Sequence, residues 1–260
     1  MNVWAWLRHR RDVRTLAKRA IPDLLWQLTL VRYPFLGWRV AADVAKLRSQ
    51  ATLFLAAKEF TGAHGLEVDD EIAVAIAAQA CLPVLNLGLD WYDRFVGIVV
   101  HADEMVAHRE AMDEDGVVHA YDEDLTGEAV LGGPVTLSWS DVTGTELDND
   151  VVYNVVIHEF AHVIDMRTGV ADGVPPLPDR TAHTNWTHVI SAEYVAFCDR
   201  VDQGEDTLLD PYGANAPEEF FAVAAEAFFT APRSLQLEHS RLYSLLRTFF
   251  QQDPAVHEHQ

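Results

Sequence analysis

The 260-residue sequence predicts an α+β fold, mostly helical, with a small sheet packed against one central helix. Three observations carry that expectation. Long stretches with few turn residues and broadly periodic apolar positions recur along the chain, the pattern of helices buried on one face or all round. Strand-like stretches are fewer and short, marked by β-branched runs or strict alternation. Residues 151–170, VVYNVVIHEFAHVIDMRTGV, then set His158-Glu159-Phe160-Ala161-His162 into an otherwise apolar helix.

Residues 1–33 form a basic N-terminal arm bearing Trp4, Trp6, Leu7, Leu16, Leu24, Leu25 and Trp26. Such an arm is expected to pack on an acidic body and to be separable from it, with attachment to an anionic membrane surface as the alternative. Residues 34–260 read as a single domain, since no repeat or low-complexity linker divides them. A helix over 39–60 has Val40, Val44, Leu47, Leu53, Leu55 and Phe60 on its apolar face, and Gly62 and Gly65 close it. Asp69 and Asp70 open a second helix, about 71–85, which is Ala-rich and expected to be buried. Val96 to Val100 is a short buried strand.

The acidic stretch 103–128 contains a candidate hairpin strand at 117–121, and Gly132-Gly133-Pro134 separates strands near 128–131 and 135–139. Val135, Leu137 and Trp139 alternate with Thr136 and Ser138. Lying just before the central helix, this strand is either an ordinary half-buried one or an edge able to pair with an extended peptide. Beyond the central helix come a loop (169–180), a helix near 186–203, a second loop, a helix over 218–230 stopped by Pro232, and a last helix over 233–251.

The formal charge of −21 is unevenly placed: residues 1–50 hold ten Lys/Arg against three Asp/Glu, and the rest nine against thirty-seven. An acidic body repels phosphate, so nucleic acid is not the expected partner. Cys81 and Cys198 sit in apolar surroundings without a C-x-x-C pattern and read as reduced thiols of a cytoplasmic protein. Pro83, Asn86 and Gln79 interrupt the longest apolar stretch, so no transmembrane segment is expected.

The chemistry lies in the central helix. Residues four apart on a helix are separated by roughly 40° and about 6 Å, so His158 and His162 can bring two imidazole nitrogens onto one Zn²⁺. Glu159, on the same turn, can reach a water in the open coordination position and take its proton. A catalytic site of this kind takes a third protein ligand. Asp165, Glu193, Glu218, Glu219 and Glu226 are candidates. The helix Pro217-Glu-Glu-Phe-Phe-Ala-Val-Ala-Ala-Glu226 is the better source, because Glu219 and Glu226 lie two turns apart on a mostly apolar helix. One can ligate and the other orient a ligand histidine, unless both simply face solvent.

Several ordered motifs in this chain resemble the Mlc titration factor A family of zinc metallopeptidases. They are Cys81-Leu-Pro-Val-Leu-Asn-Leu-Gly-Leu-Asp-Trp-Tyr-Asp93, Val156-Ile-His-Glu-Phe-Ala-His-Val-Ile-Asp165, Gly173-Val-Pro175, Tyr212, Pro217-Glu-Glu-Phe-Phe-Ala-Val223, Glu226-Ala-Phe-Phe229 and Phe250-Gln-Gln-Asp-Pro254. The resemblance runs from about residue 50 to 254, and neither the arm nor the acidic 103–128 stretch has a motif to match. It implies a zincin-like metallopeptidase domain similar in fold to the catalytic domain of anthrax lethal factor. It implies His158, His162 and Glu219 as ligands of Zn²⁺, Glu159 as general base, and Tyr212 near the metal as an oxyanion donor. It further implies aminopeptidase-type activity on a short peptide substrate and binding of a sugar-responsive transcriptional repressor. A regulatory protein that sequesters the repressor, with zinc structural or inhibitory, is the alternative. Glu159 favours the enzyme, since a structural site has no use for a base there.

Overall fold

The computed structural model of the chain describes residues 3–103, 105–112, 118–125, 127–144 and 153–258. Helix α1 (Val3–Arg19) is followed by α2 (Asp23–Arg32), α3 (Ala41–Ala57) and α4 (Asp70–Cys81). The apolar faces of the last three meet: Trp26 of α2, Leu47 and Phe54 of α3 and Ile76 of α4 are all buried. The Asp69 carboxylate caps α4, accepting from the Ile72 N–H at 2.9 Å, as its place before the apolar run suggests.

The helix expected over 39–60 ends sooner. Lys58 is extended, and Phe60 belongs to strand β1 (Glu59–Gly62). The Lys58 ammonium donates to the carbonyls of Tyr92 and Phe95 and lies 3.8 Å from the centre of the Phe95 ring, which fixes where the chain leaves the helix. Long-range pairing then outweighs local periodicity. β1 runs parallel to β2 (Gly97–His101), with Phe60 opposite Ile98.

Strands β3 (Met105–Met112) and β4 (Val118–Leu125) form a separate antiparallel pair; the hairpin strand expected at 117–121 falls in β4, apart from residue 117, which lies outside the described residues. β5 (Gly127–Ala129) is antiparallel to β6 (Val135–Ser138), and β6 is parallel to β2, so the main sheet has the order β1-β2-β6-β5. This corrects the edge-strand reading of 135–139. β6 spends both of its sides on ladders to β2 and β5, and the edge strands among the described residues are β1 and β5.

After α5 (Trp139–Thr143) comes the central helix α6 (Val155–Asp165). Asn154 holds its start in three directions. Its Oδ1 accepts from the Ile157 N–H at 2.9 Å, its Nδ2 donates to Gln79 on α4 at 2.8 Å, and its own N–H donates to the Glu226 carboxylate. α7 (Arg180–Asp202) begins earlier than the apolar pattern suggests, because the Asp179 carboxylate caps it on the Ala182 N–H at 2.8 Å. α8 (Pro217–Thr230) packs against α6 and is apolar nearly all round, with Phe220, Phe221, Phe228 and Phe229 buried.

The last helix expected, 233–251, is two: α9 (Pro232–Glu238) and α10 (Ser240–Phe250). They part at His239, whose buried ring bonds Glu193 on α7 at 3.0 Å. Cys81 and Cys198 are free thiols, the first buried and the second half-buried. Among the described residues, no helix is long and apolar enough to cross a membrane.

Candidate metal centre

The α6–α8 contact brings together side chains that are 61 residues apart in sequence. His158 Nε2 lies 3.0 Å from Glu219 Oε2, His162 Nε2 lies 3.2 Å from His158 Nε2, and His162 Nε2 lies 3.4 Å from the same Glu219 oxygen. Among the described residues these three form the group whose donor atoms converge closely enough to hold a metal ion. The donor set fits one. A tetrahedral site with bonds of about 2.0–2.1 Å has donor–donor edges of about 3.3–3.4 Å, close to the three distances here.

The lone pairs also point the right way. His158 Nδ1 is 2.7 Å from Glu226 Oε1, so the proton of a neutral imidazole sits on that side and leaves Nε2 as an acceptor facing His162 and Glu219. Three acceptors in one place repel each other unless a positive charge sits between them. The titration behaviour expresses this. Burial disfavours charge on His158, yet the Glu219 and Glu226 carboxylates outweigh it and hold its pKa well above 6.5. Burial also opposes ionisation of Glu219, but its bonds to the two histidines win and bring it down to about 2.

Glu159 sits apart from this set. It is buried, and its Oε2 has no hydrogen-bond partner among the described residues. Burial pushes its pKa up to about 7 against the pull of His158 and His162. Its side chain lies against β5: a Cβ on Gly127 would come within 2.6 Å of Glu159 Oε1. Tyr212, on a short 3-10 turn (Pro211–Ala214), is 44% exposed, with its ring 6.2 Å from that of His158. These groups and Glu218, Glu128, Ala129, Met166 and Ala171 line a cleft of about 230 Å³.

The sequence candidates thus separate. Glu219 joins the histidines, and Glu226, 1% exposed, holds the far side of His158, so neither faces solvent as an idle charge. Glu193 pairs with His239 instead. Asp165 serves the loop after α6: its Oδ2 accepts from the N–H groups of Asp172 at 2.9 Å and Gly173 at 2.7 Å, and burial raises its pKa to about 6 despite those bonds. Sequence reasoning missed Gly127 and Asn154. Gly127 reads as turn punctuation inside a polar stretch. Asn154, directly before the helix, carried a cap signal that could have been read.

A cleft built on a His-His-Glu donor set, inside a helical domain with a small mixed sheet, is an arrangement that a metal-dependent hydrolase can use. Comparison with known proteins agrees. The family model described as the glucose-regulated metallo-peptidase M90 matches residues 4–251, and the chain belongs to that family. An uncharacterised protein of Synechocystis is 34% identical over 253 residues, covering 96% of this chain and 91% of its own. Mlc titration factor A of Salmonella arizonae is 34% identical over 236 residues (90% and 92%), and that of Salmonella choleraesuis is 33% identical over the same length (90% and 88%). The match therefore takes in the N-terminal arm, where the sequence offered no motif.

Proposed function

We propose that the chain is a zinc-dependent peptidase of the aminopeptidase type, with His158, His162 and Glu219 as metal ligands. The carrying observation is the convergence of those three donors beside the buried Glu159, whose Oε2 has no hydrogen-bond partner among the described residues. Zinc held there would supply Lewis acidity and bring the pKa of a bound water toward ~7. A cation beside Glu159 draws down its raised pKa, so the carboxylate is ionised at neutral pH and takes the water's proton. It later delivers that proton to the leaving amine. Tyr212 donates a hydrogen bond to the developing oxyanion. β5, the edge strand on the side of Glu159 among the described residues, offers main-chain groups to an extended substrate.

The exopeptidase preference is supported by the size and charge of the cleft. About 230 Å³ suits a short substrate, and Glu128 and Glu218 add carboxylates to its lining that a free α-ammonium group would favour. The test is hydrolysis of amino-acid anilides by zinc-loaded protein. Free-amine anilides are expected to turn over and N-acetylated ones to fail, and Glu159→Gln should lower kcat/KM by at least ~10²-fold while keeping its zinc. Equal turnover of the blocked anilides would remove the exopeptidase assignment. Wild-type activity in zinc-loaded Glu159→Gln would remove the mechanism.

The relatives named Mlc titration factor A support a second role, binding of a sugar-responsive transcriptional repressor. Such binding depends on surface shape rather than on the base, so Glu159→Gln is expected to retain it. Retained binding with lost hydrolysis separates the two roles.

A further inference from the structure

We infer that the N-terminal helix pair is a docking surface for an anionic lipid bilayer. Helix α1 carries Arg8, Arg10, Arg11, Arg14, Lys18 and Arg19 against Asp12 alone, in a chain whose net charge is −21. It is also held lightly. None of its described side chains, from Leu7 to Arg19, is buried, and a cavity of about 580 Å³ separates part of it from α3 and the Leu89–Asp93 segment. A core helix has an apolar face hidden from water; α1 has none that the described side chains show.

What α1 exposes instead has two chemistries. Arg11, Arg14 and Lys18, spaced i, i+3, i+7, form one basic face, and Leu7 and Val13 are about half exposed. α2, joined to α1 by residues 20–22, continues the theme. Its buried side holds Trp26 and Thr29, while Leu24, Leu28 and Val31 (i, i+4, i+7) are 73%, 56% and 77% exposed. Three large apolar side chains in a row on the outer face of a docked helix are not accounted for by the fold.

Charge decides between occupants. A second copy pairing stripe to stripe would bring two cationic α1 helices toward each other, and an acidic protein surface would meet the cations but has no use for the apolar stripe of α2. Nucleic acid would meet the cations but has no use for the exposed apolar stripe, and residues 51–260, with nine Lys/Arg against thirty-seven Asp/Glu, repel it. An anionic bilayer meets both: headgroups take the arginines and the acyl boundary takes Leu24, Leu28 and Val31. The acidic body is held off by the same field, so docking is reversible and oriented. At physiological salt the Debye length is about 8 Å, so the outward face of α1 is felt more than charges on the far side.

The test is co-sedimentation of the full-length protein with phosphatidylcholine vesicles, with and without phosphatidylglycerol. Binding is expected only with the anionic lipid and should weaken steeply with added salt. Arg11→Glu/Arg14→Glu/Lys18→Glu is expected to abolish it, since each cation is worth roughly fivefold in partitioning. Leu24→Ser/Leu28→Ser should lower binding at every salt concentration, because that part of the affinity is not electrostatic. None of these positions touches the metal centre, so metal content and hydrolysis should be unchanged, which guards against misfolding. Absence of wild-type binding to phosphatidylglycerol vesicles at low salt would overturn the inference. So would wild-type-like binding by the triple variant, or equal retention on a DNA oligonucleotide at matched salt.

Discussion

At the scale of the residue, Gly127 and Glu159 depend on each other. Gly127 needs no special backbone freedom; what it provides is the missing side chain, since a Cβ there would meet the Glu159 carboxylate at 2.6–2.8 Å. Gly127→Ala is therefore expected to move the Glu159 carboxylate, the proposed base, while leaving His158, His162 and Glu219 in place. Its kcat/KM should fall at least ~10-fold with zinc content unchanged, since misplacement by about 1 Å can cost ~10²-fold. Glu159 also leaves a mark on stability. In metal-free protein its carboxyl titrates at about 7 in the fold, against an ordinary value of 4.5. Between those values the folded state holds a proton that the unfolded state has released, so stability falls as pH rises. The loss is roughly 3 kcal/mol when complete. Metal-free Glu159→Gln should thus gain on the wild type as pH goes from 4.5 to above 7; a Tm difference that stays flat with pH would refute this. Any constant offset from the new amide leaves that slope intact.

At the scale of the element, the centre depends on α6 and α8 keeping their register, and Gly173 sits at the joint. Its φ of +75° suits glycine, and a Cβ would meet the Pro217 carbonyl at 2.6 Å, at the first turn of the helix that carries Glu219. Its N–H donates to Asp165 at the end of α6, and its carbonyl accepts from the buried Trp186 indole at 2.8 Å. Gly173→Ala is expected to destabilise by about 1–3 kcal/mol and to weaken zinc retention, read by chelator competition. Helix α6 was legible because two histidines four apart need one face, and α8 because two glutamates on a phenylalanine-rich helix need a reason. A strand near 128–131 was legible from the Gly132-Gly133-Pro134 turn, but its place at the edge was not: it follows from β6 also pairing with β2, a long-range ladder that no local pattern encodes. The break at His239 was hidden too: the partner of its ring, Glu193, lies 46 residues away.

At the scale of the whole molecule, the question is where the basic arm ends and the core begins. Composition draws the line by charge, at about residue 33, because cations thin out there. Packing responds to apolar burial instead, and burial changes between α1 and α2. Ile21 and Trp26 are each 3% exposed, Tyr33 is 2% exposed, and the Tyr33 hydroxyl donates to the Val142 carbonyl at 3.1 Å. Arg48 on α3 ties down the same stretch, donating to the Ile21 carbonyl and to Asp23 at 2.6 Å. We propose that the dispensable part is residues 1–19. Deleting it removes no buried side chain among those described, so Tm and zinc content should barely move. Deleting 1–33 takes Trp26, Ile21 and Tyr33 from the core. Loss of a buried Trp alone costs about 3–5 kcal/mol, and with Ile21 the sum is comparable to the 5–15 kcal/mol that holds a typical domain together. That truncation is expected to yield insoluble or unfolded protein. Soluble expression, the thermal melt and zinc per chain, measured on both truncations, distinguish the cases. Unfolding of the 1–19 deletion would show that α1 belongs to the core, whereas a cooperative, zinc-loaded 1–33 deletion would return the boundary to where charge alone draws it.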